Sequence, residues 1–235
     1  MKFRYLFYFC NGFSSVIDSQ VIALLNAIHE KKYFKKTYLF MGIRNENQKK
    51  EFLNRKLSPE IKTVFFKTFP NYRCFNYMNR KSIQQALLSQ SINLKEAIYH
   101  ERGEILAWHL SEVLGIKHHC NILPDVRGAV EEIEEFANYN KVIKSLKINL
   151  NKRAIKNLNK FNKISVISNS LRDHLISNYN IDFDKLDIRP CLASNDFKFN
   201  EQQRDKTRKE FNLNRDDILL YFPAAALPSG RIPKY

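Results

Sequence analysis

Cysteine is sparse and scattered in this chain of 235 residues: Cys10, Cys74, Cys120 and Cys191 form no C-x-x-C pair. That excludes zinc-ribbon and thioredoxin-type readings and fits reduced thiols in a cytoplasmic protein. No apolar run approaches the roughly 18 residues needed to span a bilayer. The first ten residues have too short an apolar core for a secretory leader, and Asn11-Gly12 ends that core without a small-residue cleavage site, so they read as a first strand. Glycine is scarce too. The first strand–helix turn, Cys10-Asn-Gly-Phe-Ser-Ser-Val-Ile-Asp18, holds one glycine and not the three of a dinucleotide fingerprint, so no nicotinamide or flavin cofactor is expected. It lacks the Gly-Lys-Ser/Thr of a phosphate-binding loop, and no Gly-x-Ser-x-Gly elbow occurs anywhere. His100, His118 and His119 lack metal-ligand spacing, and neighbouring strand residues point to opposite faces, so no metal is expected.

What the chain does have is apolar, aromatic and basic. An apolar fraction of 44%, with 18 Phe and 11 Tyr, rules out a disordered chain. The formal charge of +15 favours an anionic partner, whether phosphate-bearing ligand, acidic membrane face or nucleic acid. No recognised nucleic-acid reader motif is present, so that partner is not favoured.

Strand-like and helix-like segments alternate, the pattern of βα units on a parallel sheet. Strands are expected at 3–10, 37–43, 61–67, 96–100, 118–123, 164–167, 186–189 and 217–222. Helices are expected at 19–34, 45–57, 81–92, 104–114, 171–179 and 204–211, with 68–80 irregular. A long helix is expected from Ala129 to about Phe161, on the 3–4 residue spacing of Ile143, Leu146, Leu150, Ala154, Leu158 and Phe161. Four Glu near its start and eight Lys/Arg over 141–163 would match a helix dipole at both ends. The fold class is therefore α/β, a Rossmann-like parallel sheet with helices on both faces. Residues 1–190 form its main domain, and 191–235 a linker with the first elements of a second domain.

In open α/β sheets the turns after the strands face the ligand crevice. Two Arg-Gly turns lie there, His100-Glu-Arg-Gly103 and Pro124-Asp-Val-Arg-Gly128. Asp125 could accept sugar hydroxyls or orient a reacting one, and Arg127 offers a fork to phosphate or carboxylate. The pair could equally be structural, or Asp125 could cap the long helix. Glu101 and Arg102 carry the same two readings. Gly12 could let backbone approach a phosphate or sugar, or serve its turn alone. Ser168-Asn-Ser170 can cap the helix that follows. The aromatic and basic loop 68–80 could stack on bases or sugars, dip into a membrane surface, or pack on its own domain.

The order of these elements resembles a family. Ile164-Ser-Val-Ile-Ser-Asn-Ser-Leu171, then Ile181-Asp-Phe-Asp-Lys-Leu-Asp-Ile-Arg-Pro190, Asn195-Asp-Phe197, Arg208-Lys-Glu-Phe-Asn-Leu213 and Asp217-Ile-Leu-Leu-Tyr-Phe222 are similar to the interdomain region of family 4 retaining glycosyltransferases of the GT-B fold. The two Arg-Gly turns, with Glu131-Glu132, look like turns of a bacterial branch. The resemblance implies transfer of a sugar, with retention, from a nucleotide-sugar co-substrate to a glycan or lipid-linked acceptor, as in polysaccharide assembly, without a metal or other cofactor. It places Asp125 near the reacting sugar as the catalytic residue, and Gly12, Glu101, Arg102, Arg127 and Ser168 on the substrate side. Catalysis would rest on positioning and on stabilising the departing diphosphate. The last segment, Pro223 to Tyr235, lacks the family's donor-binding residues, so the chain is expected to be an amino-terminal half that does not transfer sugar alone. The expected location is the cytoplasm, peripheral at the inner membrane face.

The rival reading is a non-catalytic module of the same fold. It would grip an anionic polymer or lipid head group through Lys141–Lys163 and loop 68–80.

Overall fold

The structure, a computed structural model, describes residues 3–11, 18–115, 121–131, 139–190 and 200–214. The chain divides into two compact units, Met1–Ser194 and Asn195–Tyr235. The first is built on seven parallel strands: β1 (Tyr5–Asn11), β2 (Lys36–Ile43), β3 (Lys62–Lys67), β4 (Ala97–Arg102), β5 (Ile122–Val126), β6 (Ile164–Val166) and β7 (Leu186–Ile188). Their order across the sheet is β3-β2-β1-β4-β5-β6-β7. This is the Rossmann-type order, which reverses direction between β1 and β4.

The central strands are buried on both faces, and their sequences show why. Phe7 and Phe9 of β1 point into one core with Tyr38, Phe40 and Tyr99, where Phe9 and Phe40 stack at 4.4 Å. Leu6, Tyr8 and Cys10 point the other way, with Leu39 and Met41. A near-continuous apolar run is what a strand covered on both sides requires. Helices α1 (Ala23–Glu30) and α2 (Glu46–Leu53) contribute Leu25 and Phe52 to the second core. Helices α3 (Asn76–Leu88), α4 (Glu104–Leu114), α5 (Lys141–Lys156) and α6 (Asn169–Tyr179) contribute Ile83, Leu106, Ile148 and Leu171 to the first. Two positive-φ glycines bracket α4: Gly103 at 104° and Gly115 at 77°. The second unit contributes α7 (Glu201–Glu210), capped by Asn200.

Several boundaries differ from the sequence-based expectation. Glu101 and Arg102 belong to β4, and Pro124 and Asp125 to β5, rather than to the turns beyond. Their charged and proline-containing composition reads as turn, but sheet ends at a crevice carry polar residues. Helix α3 begins at Asn76, five residues early, inside the segment expected to be irregular. The expected helix from Ala129 to Phe161 is not continuous. Asn140 is extended and its side chain accepts the Ile143 N–H at 2.9 Å, starting a new helix there. The charge pattern therefore does not match a dipole at both ends, because Lys141 and Lys144 occupy the first turn of α5, with no acid. His118, His119 and the strand expected at 217–222 lie outside the described residues.

Candidate functional site

All seven strands run the same way, so their carboxyl ends share one edge, where β4, β5 and the segments after them meet. Register places Arg102 opposite Asp125, and Asp125 opposite Ser165. The Gly103 N–H donates to the Asp125 carbonyl at 2.9 Å, tying the first Arg-Gly turn to the end of β5. Arg102, Gly103, Arg127 and Gly128 then line one hollow of about 290 Å3, with Asn151 of α5 on its wall.

Asp125 is fully buried beside this hollow. Arg127 donates from Nε to its Oδ2 at 2.6 Å, and Nη2 lies 2.5 Å from the same oxygen. Burial raises the Asp125 pKa, while the Arg127 charge and hydrogen bond, the Ser165 hydroxyl and Arg102 pull it down. Arg102 donates from Nη2 to Gln20 Oε1 at 2.6 Å. Its Nη1 is buried with no partner among the described residues.

Strand alternation carries the polar cluster further. Tyr8, His100, Arg102 and Asp125 share one face of the sheet. The Tyr8 and His100 rings meet edge to face at 4.7 Å, and His100 Nε2 lies 3.9 Å from Asp125 Oδ2. Burial and the charges of Arg189, Arg127 and Arg102 push the His100 pKa down to about 3, so the ring is neutral at physiological pH. Burial raises the Tyr8 phenol, and the Asp125 charge adds to the shift. Tyr8 Oη and His100 Nε2 are buried without a hydrogen-bond partner among the described residues. Each such group costs about 1–3 kcal/mol when left unpaired. Arg102 Nη1 is a third such group, at the carboxyl end of β4, and Tyr8 and His100 lie farther back on the same face of β1 and β4.

The other sequence-derived candidates fall elsewhere. Glu101 alternates to the opposite face, in register with Phe9 and Pro124, and is fully buried. Burial raises its pKa well above the usual carboxylate value, and neither oxygen has a partner among the described residues. It does not face the hollow. Ser168 stands at the start of α6, where its hydroxyl accepts the Leu171 N–H at 3.2 Å. Gly12 lies outside the described residues. Tyr8 and Gln20 escaped the sequence reading. The one available signal was a tyrosine at the alternation position that His100 shares.

No protein-family model and no curated protein sequence matches the chain. Solved structures do. Sucrose-phosphate synthase from Thermosynechococcus elongatus superposes with a TM-score of 0.55 at 10% identity, over 91% of this chain and 53% of that one. Arabidopsis thaliana UGT89C1 complexed with UDP-L-rhamnose gives a TM-score of 0.45 at 10% identity, over 90% of this chain and 63% of that one. The chain thus spans about half the length of the synthase. At this identity the likeness concerns architecture: the chain has the Rossmann-like α/β fold found in GT-B glycosyltransferases.

Proposed function

We propose that this chain is the acceptor-side part of a retaining glycosyltransferase of family 4 type, taking its sugar from a nucleotide donor. The observation that carries this reading is the buried Asp125 with Arg102 and Arg127 at one crevice of a GT-B-like sheet. In the reaction the bond between anomeric carbon and diphosphate oxygen breaks. The diphosphate leaves with the electron pair, and an acceptor hydroxyl forms the new bond as it gives up its proton to the departing diphosphate oxygen. Asp125 would orient a sugar hydroxyl by accepting its hydrogen bond. Arg102 and Arg127 would meet the departing diphosphate, so that the cationic help comes from side chains rather than a metal. The acceptor would be a glycan or a lipid-linked glycan.

The test is binding and turnover with a panel of nucleotide sugars, for the chain alone and together with a nucleotide-sugar-binding second domain. Asp125→Asn should abolish turnover in the complemented system while leaving donor affinity within a few-fold. Full turnover by Asp125→Asn would refute the role of Asp125.

A second reading is favoured by α5, which carries six Lys/Arg and no acid. In it the domain grips an anionic polymer or an anionic membrane face without catalysis. Among the described residues no helix is long and apolar enough to cross a membrane, so such contact would be peripheral. Steep loss of binding with rising salt, unaffected by nucleotide sugars, would mark this reading.

A further inference from the structure

A third arginine stands at the carboxyl edge of the sheet, outside both Arg-Gly turns and outside the hollow they line. Arg189 follows β7 directly, and its backbone N–H donates to the Val166 carbonyl at 2.7 Å, so the β6–β7 ladder runs on to it. Register sets its face. Asp125 lies opposite Ser165, and Ser165 opposite Asp187. Side chains alternate along a strand, so Arg189, two residues after Asp187, takes the face that carries Asp125, Arg102, His100 and Tyr8. It stands level with Arg127, which follows Asp125 by two residues. Only β6 separates β5 from β7, a distance of about 10 Å between the two strands. A long side chain at β7 covers much of that gap. The charges show that it turns inward: burial comes first among the causes that lower the His100 pKa, and the charge of Arg189 comes next, ahead of those of Arg127 and Arg102.

The three arginines differ in what holds them. Arg127 spends Nε and Nη2 on Asp125, so those two charges largely cancel. Arg102 donates to a neutral amide, that of Gln20, and its Nη1 is buried with no partner among the described residues. The Arg189 side chain is exposed and makes no hydrogen bond or ion pair among the described residues. Asp187, the acid two residues before it, has Lys163 Nζ at 3.6 Å. Glu104, the acid at the hollow, forms no ion pair among the described residues, and burial raises its pKa toward the neutral form. Arg102 and Arg189 therefore bring two positive charges to one face of one sheet edge, with no acid paired to either. Like charges so placed repel, and a dianion between them turns that repulsion into attraction.

We propose that Arg189 is a diphosphate-binding residue of this crevice, its guanidinium and that of Arg102 holding the diphosphate of the nucleotide-sugar donor from two sides. The assignment rests on the glycosyltransferase reading for the identity of the donor, but not for the binding of a diphosphate. It divides the work among the arginines. Arg127 has two of its N–H groups on Asp125 and keeps the others for the ligand, so Arg102 and Arg189 meet most of the negative charge. When the bond from anomeric carbon to diphosphate oxygen breaks, the electron pair stays on that oxygen. The bound diphosphate then carries one more negative charge until the acceptor proton reaches it. A guanidinium fork with no acid of its own is the group best placed to take up that charge.

The experiment uses the full chain, with pyrophosphate as the probe and inorganic phosphate beside it, both followed by calorimetry at low salt. Pyrophosphate should bind about tenfold or more tightly than inorganic phosphate, because only the longer anion meets both arginines. Arg189→Gln should lose about tenfold in pyrophosphate affinity, the size of one charge-assisted contact. Arg189→Lys should lose less, since the charge stays and only the fork goes. Arg4→Gln is the charge-matched control: Arg4 is exposed, precedes β1 at the amino edge of the sheet, and should leave the affinity unchanged. Circular dichroism confirms that each variant folds. In the complemented transfer assay, Arg189→Gln should lower kcat/KM for the nucleotide sugar by about tenfold or more. Unchanged pyrophosphate affinity in Arg189→Gln, an equal loss in Arg4→Gln, or no binding of pyrophosphate by the parent would overturn the proposal. So would undiminished sugar transfer by Arg189→Gln, which would leave the transfer reading intact. Pyrophosphate binding that depends on Arg189, in a protein that transfers no sugar when complemented, would uphold the diphosphate site and sink the transfer reading.

Discussion

Arg127 reaches back across the end of β5 and puts two guanidinium nitrogens on a single oxygen of Asp125, Nε at 2.6 Å and Nη2 at 2.5 Å from Oδ2. Asp125 is fully buried, whereas the Arg127 side chain keeps 21% of its surface exposed. The carboxylate therefore depends on the arginine more than the arginine depends on it. Arg127→Met should cost about 3 kcal/mol, because it strands a buried charge. Asp125→Asn should cost less, and the double variant should recover much of the loss. Urea unfolding of all four proteins, compared at constant m-value, measures the coupling. Strictly additive costs would show that the two side chains do not hold each other.

Two buried groups on opposite faces of β4 give stability opposite dependences on pH. Burial raises the folded pKa of Glu101 above its ordinary 4.5, so the folded state holds a proton that the unfolded chain has released. Its contribution is complete below pH 4.5 and is lost as pH rises toward the raised value. For His100 the folded pKa falls to about 3 from 6.5. Its contribution is complete above pH 6.5 and is lost as pH falls through that window, a difference on the order of 5 kcal/mol. Glu101→Gln should leave stability near pH 4 almost unchanged and raise it at pH 8. His100→Asn should flatten the acid limb between pH 3 and 6.5. His109, lowered to about 4 by burial and Arg80, keeps a smaller slope in place. Denaturant midpoints from pH 3 to 8 read both effects.

The sheet was legible because its strands are apolar on both faces and are separated by helices of different periodicity. The 104–114 helix came out to the residue, since Gly103 and Gly115 mark both of its ends. The candidate site was legible in its residue types but not in its placement. Glu101 and Arg102 stand next to each other in sequence, yet strand alternation sends them to opposite faces, and a boundary misplaced by two residues hides that. The break before α5 was hidden for a related reason. Apolar spacing continues across Asn140, and only the backbone geometry shows that its side chain caps a new helix. Arg73 and Arg153, 80 residues apart in the chain, line one groove, a juxtaposition that only tertiary packing creates.

Gly42 gives a test of close packing at the crevice end of β2. A Cβ there would collide with the Asn11 side-chain oxygen and with Thr68 Cγ2, and would also press on Phe66. Asn11 ends β1 in register with Gly42, so the backbone cannot yield without disturbing the strand that leads into the first turn. Gly42→Ala should destabilise by about 1–3 kcal/mol, the usual cost of overpacking. Gly42→Ala with Thr68→Ser removes one of the two clashes and should recover part of the loss. Thermal unfolding of the three proteins checks the order.

Ser168 separates a structural role from a ligand-binding one. Its hydroxyl accepts the Leu171 N–H at the start of α6, and removal of such a cap costs about 1 kcal/mol. Ser168→Ala should show that loss. Ser168→Asp should restore it, because a carboxylate caps as well and also favours the positive end of the helix dipole. The two variants diverge if the hydroxyl also meets a nucleotide sugar or its acceptor. Aspartate brings a negative charge to the carboxyl edge of the sheet and would repel a diphosphate there, whereas alanine would remove only one hydrogen bond. Donor affinity that follows stability in both variants assigns Ser168 to the cap alone. Donor affinity weakened tenfold or more by Ser168→Asp, in a protein as stable as the parent, places the crevice within reach of this turn.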